Sequence, residues 1–260
     1  MNAKLTEFNA YLTKHRSDGT RNLYIDDLDH WLNKMNGNEL TKETAQEYID
    51  SLTNLSPATV AINAHAIMSW FRFQGHPITL DMPKVQQPDP EYLTIDEVKD
   101  AIVKCQSQLE KTLFVVLFDS GVRIKELITL RIENIDYNKK TITVTRKGGK
   151  IETVNVSDNA LNELSLWLES RDFASDNVFG QLNYQSAWHI FKNIGARIGK
   201  DLHPHMLRHA RAIQMLTAGA PMHIVQQHLG HKNLATTANI YGKFTVSDLR
   251  KQIPDWGGGK

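Results

Sequence analysis

The sequence predicts a mainly α-helical protein in two units: a small helical bundle, then a larger mixed α/β domain holding a small β-sheet. Three observations predict it. Apolar residues recur at helical spacing through residues 1–75. A stretch with four prolines and no periodicity follows at His76–Tyr92. Farther on, Ile135–Val156 switches to two-residue alternation about a glycine pair.

In the first unit Leu23, Leu28, Trp31, Leu32 and Met35 form one helical stripe, which the breaker NGNEL ends. Thr41 is placed to cap KETAQEYIDSL, whose Ala45, Tyr48, Ile49 and Leu52 make the next stripe. Ser56 followed by Pro57 is a strong helix start, and Val60, Ala64, Ile67, Trp70 and Phe71 continue that helix to Gly75. With a helix near the N-terminus, four short helices make a bundle with Trp31, Trp70 and Phe73 as core. The boundaries expected are 1–77 for the bundle, 78–91 for an extended linker, 92–244 for the second domain and 245–260 for a tail.

The second unit opens on Thr94-Ile95-Asp96-Glu97, a capping box leading a helix to about Cys105. Lys111–Gly121 is mostly apolar and reads as a buried helix ending at the glycine. VRIKELITL then starts a helix at Arg123, with Leu127 and Leu130 inward. ITVTRKGGKIETVNV is a hairpin with Gly148-Gly149 at its turn and Lys147 at its tip. Ser157 caps a helix whose Leu161, Leu164, Trp167 and Leu168 share a face. Asn183–Ile198 is another helix, packing through Trp188, Phe191 and Ile194. Beyond Tyr241, Val246, Leu249 and Ile253 make a short amphipathic helix, and the terminal GGGK reads as a loose tail.

Composition narrows the function classes. At 260 residues and 41% apolar content, real cores are available. The single cysteine, Cys105, excludes a disulfide framework and suits a reducing, cytoplasmic setting. No signal-peptide pattern and no run of eighteen apolar residues is present, so no membrane role is expected. The net charge of +1 is weak support for a nucleic-acid binder, but it is uneven. Residues 1–89 hold eight Lys/Arg against eleven Asp/Glu, leaving twenty-two against eighteen for the remainder.

The densest polar stretch is Leu202–Tyr241, with six of the eleven histidines, two arginines and a tyrosine. His205 and Arg208, three apart on a helix, can point at one target, and it should be anionic. A zinc site has little support: there is no HExxH, no nearby cysteine and no carboxylate at ligand spacing, and Arg208 and Arg211 would crowd the metal with positive charge. Neither GxxxxGK[ST] nor a strand-linked GxGxxG occurs, so nucleotide chemistry is unsupported. Each histidine taken alone reads as a surface or satisfied core residue. Phosphoryl transfer on a phosphodiester by a side-chain nucleophile is a fourth reading.

Five segments in order, SGVRIKEL (Ser120–Leu127), RKGGK (Arg146–Lys150), HMLRH (His205–His209), HLGH (His228–His231) and TTANIY ending at Tyr241, resemble the signatures of the tyrosine recombinases, or phage-integrase family. The resemblance covers nearly the whole chain and implies a SAM-like core-binding domain, a linker and a catalytic domain that together clamp duplex DNA. Arg123 resembles the first catalytic arginine, in a motif usually TGLRxxEL, and Glu126 the acidic residue bracing it. Lys147 resembles the hairpin lysine, although the usual GKG is RKG here. His205 and Arg208 resemble the HxxR pair, His231 the later His-or-Trp position, and Tyr241 the nucleophile. Arg72, Lys150, Lys192 and Arg197 are candidate DNA contacts.

The implied activity is site-specific cutting and rejoining of double-stranded DNA through a 3′-phosphotyrosyl intermediate and a Holliday junction, with no cofactor, ATP or metal. The implied partners are DNA carrying recombination sites and three further copies in a tetramer, from a monomer free in solution, with room for an accessory protein. The tail would pack on a neighbouring protomer. The two-domain plan, with no arm-binding domain ahead of it, is most similar to the minimal Xer type, nucleoid-associated when on DNA. A type IB topoisomerase-like relaxase and a non-catalytic DNA-binding relative are the alternatives; the full set of catalytic residues speaks against the latter.

Overall fold

The computed structural model describes residues 3–85, 91–146 and 148–230. Lys147, His231, Tyr241 and the tail at 245–260 lie outside the described residues. The chain divides into two compact units, Met1–Pro88 and Asp89–Lys260.

The first unit is helical: α1 (Ala3–His15), α2 (Asp18–Met35), α3 (Lys42–Ser51) and α4 (Pro57–Phe73). Local sequence sets the helix starts. Thr41 Oγ1 accepts from the Thr44 backbone N–H, while the Thr44 hydroxyl accepts from the Thr41 N–H, and Ser56 caps α4 ahead of Pro57. Phe8, Leu28, Trp31, Ile67 and Trp70 meet in the core, with the Phe8 and Trp70 rings edge-on at 5.2 Å. Phe73 packs at its margin. Leu23 departs from the expected stripe and is half exposed. Tyr24, one turn before Leu28, takes the inward place instead, and a residue five positions before Leu28 points well away from that face.

The extended segment after α4 is held to this unit. Ile78 and Leu80 join its core, and the Gln46 side-chain amide pairs with both backbone groups of Asp81, at 2.9 Å and 3.3 Å.

The second unit is built around α6 (Gln108–Ser120), which is buried from Thr112 to Ser120 and packs against α8 (Asp158–Ser170), α9 (Tyr184–Arg197) and α10 (Pro204–Thr217). A helix covered on every side has no polar face, which is why its sequence is nearly continuous apolar. The unit also contains α5 (Ile95–Val103), α7 (Ile124–Ile128) and α11 (Met222–Leu229). Thr94 and Glu97 form the predicted capping box of α5. Ser157 and Asn183 cap α8 and α9. α9 buries Ala187, Phe191, Ile194 and Gly195, whereas Trp188, at the edge of that stripe, is only half buried.

A three-stranded antiparallel sheet, in the order β1 (Ile135–Asp136), β2 (Thr141–Thr145), β3 (Ile151–Asn155), lies beside the helices. The β2–β3 register pairs Ile142 with Val154 and Thr145 with Ile151. The Arg146 N–H donates to the Lys150 carbonyl at 2.7 Å and closes the tight turn, where Gly148 and Gly149 both take positive φ (87° and 77°). This mixture of helices and a small sheet matches the expected fold class.

Candidate active site

Three of the sequence segments meet where helix ends converge. α6 stops at Gly121, whose left-handed conformation (φ 60°) turns the chain sharply into α7. That turn makes Arg123 the cap residue of α7. Glu126 then reaches back: one oxygen accepts from the Arg123 N–H at 2.9 Å, the other from Arg123 Nη1 at 2.9 Å. The carboxylate is buried, while the Arg123 side chain keeps 41% of its surface open. The brace therefore holds Nη1 and leaves much of the side chain open to solvent.

Arg208, on α10, is almost wholly buried. Its Nη1 donates to the Gly121 carbonyl and its Nη2 to the Leu229 carbonyl, at the C-terminal ends of α6 and α11. Those ends carry the negative poles of the helix dipoles and suit a cation. Burial, then the positive charges of Arg123 and Arg146, pull its pKa down to about 9, so it stays protonated at neutral pH. The two helix ends are pressed together: a methyl added at Gly121 would stand 2.4 Å from the Leu229 side chain.

His205, one turn before Arg208, lies on the open side of α10. Partial desolvation, followed by the charges of Arg208, His203 and Arg123, lowers its pKa, so the imidazole is neutral at pH 7 and able to accept a proton. His209 lies behind it, 6.1 Å between ring centres, and burial pushes its pKa to about 4. His228 is also held low, first by burial, with Nε2 3.3 Å from the Asp119 carbonyl. Among the described residues no three histidines, cysteines or carboxylates come together as a metal cluster.

Arg123 and His205 share the wall of a cavity of about 220 Å³ with Lys125, Tyr184, Trp188 and His203. Lys125 Nζ stands 4.9 Å above the Tyr184 ring, and Lys192 Nζ stands 4.7 Å above Trp188. An anion could meet an open guanidinium and a neutral imidazole here, over a floor of aromatic rings.

The structure thus brings Arg123, Glu126, His205 and Arg208 together. Lys147, His231 and Tyr241 lie outside the described residues. Lys150 is exposed on the far side of the turn, with Glu152 3.6 Å away. Arg72 is exposed on α4, in the other unit. Lys192 pairs with Asp201 as well as with Trp188. The Arg197 guanidinium makes a two-pronged contact with Glu110, at 2.6 Å and 2.9 Å, and so pins the end of α9 to the start of α6.

Sequence reasoning passed over Arg146. Its side chain is 5% exposed, with Nη1 2.8 Å from Glu126 Oε2 and Nε 3.3 Å from Glu152. The signal was present: Ile142 and Val144 face inward on β2, so strand alternation carries residue 146 inward too, where a charge needs partners.

Comparison with known proteins places this geometry in context. The model of the phage integrase family matches residues 91–246. The tyrosine recombinase XerA of Pyrococcus horikoshii is 31% identical over 264 residues, covering 96% of this chain and 92% of that protein. A crystal structure of XerA recombinase aligns with a TM-score of 0.58 at 26% identity, covering 98% of this chain and all of that one. The XerH site-specific recombinase, bound to a palindromic difH substrate after cleavage, aligns with a TM-score of 0.73 over 89% of this chain and 78% of its own. At 20% identity, that second likeness speaks for the fold alone.

Proposed function

The chain belongs to the phage integrase family and is a tyrosine-type site-specific DNA recombinase, and on that footing we propose that Tyr241 attacks a scissile phosphate held by Arg123 and Arg208. The observation that carries the reading is that Arg123, braced by Glu126 yet partly open, shares a cavity wall with His205, one helical turn before the buried Arg208.

A phosphodiester resists a neutral phenol, because its charge repels nucleophiles and its alkoxide leaves poorly. In the step proposed, the Tyr241 Oη–phosphorus bond forms while the phosphorus–O5′ bond breaks. The phenol proton passes to His205, and the Lys147 ammonium gives a proton to the departing O5′. Arg123 and Arg208 donate to the non-bridging oxygens as charge builds on the phosphorane, with His231 adding a further hydrogen bond. The arginines fill the electrostatic part that a metal ion plays in other phosphoryl transfers. The 3′-phosphotyrosyl ester conserves the bond energy, so a 5′-hydroxyl from a partner strand reverses the step without ATP.

The wider reading follows. The bundle (1–77) and the catalytic domain (92–244) close on duplex DNA through the linker (78–91). Arg72, Lys150 and Lys192 contact phosphates, and Arg197, through Glu110, steadies the α9 helix that carries Lys192. A tetramer on paired sites exchanges strands through a Holliday junction, with the tail (245–260) lying on a neighbouring copy. The likeness to the XerA relative supports an Xer-like plan. No helix among the described residues is long and apolar enough to cross a membrane. As a recombinase acting on duplex DNA, the protein would work in the cytoplasm, on the nucleoid when bound.

The test begins by letting Tyr241→Phe protein select its site from a randomised duplex pool. A nicked suicide duplex carrying that site should then trap a covalent adduct with the parent protein and none with Tyr241→Phe. Failure of the parent protein to form any adduct on the selected duplex would refute the enzymatic mechanism. Relaxation of supercoiled plasmid by monomers, without exchange between two sites, would favour the relaxase alternative.

A further inference from the structure

Arg146 stands where the family resemblance leads one to expect the first glycine of GKG, immediately before the hairpin lysine. Its backbone and its Nη1 are hydrogen-bonded, while the buried Nε and Nη2 make no hydrogen bond among the described residues. Its N–H donates to the Lys150 carbonyl at 2.7 Å, and its own carbonyl accepts from the Gly149 N–H at 3.1 Å, so the backbone of the turn hangs on this residue. Its side chain, 95% buried, runs inward from the end of β2 to three different elements. Nη1 donates to Glu126, the same carboxylate that braces Arg123. Nε faces Glu152 on β3 at 3.3 Å. The guanidinium lies against Gly230, the left-handed cap of α11, so closely that an added methyl there would be 2.8 Å from its Cζ and Nη2.

We infer that Arg146 is a positioning residue: it ties the end of β2 to the Arg123 brace and packs on the end of α11, and the acid step proposed for Lys147 depends on that link. A buried ion pair is a weak source of net stability, because desolvation offsets most of the attraction. Its geometric effect is stronger: a planar fork shared between two carboxylates admits few orientations, and residue 147 follows it in the chain. A glycine at 146 would supply no such link.

The inference rests on Lys147 acting as the acid for the leaving group, and the test separates the two. Single-turnover cleavage is measured on suicide duplexes of the selected site, with either oxygen or sulfur bridging phosphorus to the 5′ carbon. When the phosphorus–sulfur bond breaks, the thiolate departs without needing a proton, so a defect in aiming the acid disappears. Arg146→Gln should slow cleavage of the oxygen substrate roughly 10- to 100-fold, a part of the about 100- to 10,000-fold that general-acid catalysis supplies. On the sulfur substrate it should run within about threefold of the parent, and duplex binding should be unchanged. Arg146→Lys and Glu152→Gln, milder changes that carry the same test if the Gln variant folds poorly, should show smaller losses with the same sulfur rescue. Equal slowing on both substrates, or no slowing on either, overturns the inference while Lys147→Ala is still rescued by sulfur. A Lys147→Ala variant as slow on sulfur as on oxygen overturns the acid assignment, and the inference with it.

Discussion

Replacing Glu126 by glutamine keeps the volume and one acceptor but removes the charge between two guanidiniums. The structure says which of them suffers. The Arg123 side chain is 41% exposed, so water screens its share and the loss there is small. The Arg146 side chain is 5% exposed and, among the described residues, would keep Glu152 alone as a charged partner, at 3.3 Å. Stranding one member of a buried pair costs about 3–5 kcal/mol, and the retained amide oxygen argues for the lower end, about 3 kcal/mol. For a domain of this size that lowers the melting temperature by about 6–12 °C. Urea unfolding of parent, Glu126→Gln, Arg146→Met and the double variant forms a cycle. The double variant should be no less stable than Glu126→Gln alone, because no buried guanidinium is then stranded and Glu152 keeps Lys150 at 3.6 Å; the two changes should therefore be less than additive. Additivity within about 0.5 kcal/mol would show that the two residues do not share one network, and the reasoning would fail.

Two further outcomes follow from backbone packing and from the histidines. Gly195→Ala puts a Cβ 2.5 Å from the Lys200 carbonyl oxygen and 2.5 Å from Leu202 Cβ; backbone cannot yield as a side chain can, so urea unfolding should show a loss of at least about 2 kcal/mol. His203, His205, His209 and His228 all have lowered pKa values in the folded chain, chiefly by burial or desolvation, so the unfolded chain binds more protons as acid is added. Their contribution is complete above the ordinary histidine value of about 6.5 and is lost as pH falls towards 4, the value for His209. Chemical unfolding at pH 7.5, 6 and 5 should show stability falling in that order, and His209→Gln should flatten the slope. A slope unchanged by that substitution would remove His209 from the account.

The elements that sequence declared most clearly are those set by local chemistry. Thr41, Ser56 with Pro57, Thr94 with Glu97, Ser157 and Asn183 each meet their N–H groups within one helical turn, and Gly121 ends α6 by its own conformational freedom. The same holds for HxxR, since three-residue spacing suffices to put His205 and Arg208 on one side of a helix. What escaped depends on partners distant in the chain. Nothing near Arg197 announces Glu110, 87 residues away, and a lysine such as Lys192 reads alike whether it meets a phosphate or an aspartate. Arg146 lies between these cases: strand alternation gives its direction, but only the fold brings Glu126 to meet it.

The way the arginines are partnered explains how a site can be rigid and still bind an anion. A guanidinium neutralised one-for-one by its own carboxylate would be well placed but electrically spent. Here Arg208 is seated by two carbonyls at helix ends, which are dipoles and not full charges. Arg123 has a full carboxylate partner, yet it shares that carboxylate with Arg146. Among the described residues, the Arg123 and Arg146 guanidiniums together pair with Glu126 and Glu152, and the Arg208 guanidinium lies close enough to feel both arginines. The lowered pKa of Arg208, to which Arg123 and Arg146 both contribute after burial, is the mark of that crowding. If Arg123 and Arg208 hold the scissile phosphate as proposed, a phosphorane, which carries more negative charge than the phosphodiester it comes from, relieves this crowding more than the ground state does. The stabilisation consequently grows as the reaction proceeds, and that is the condition for lowering a barrier.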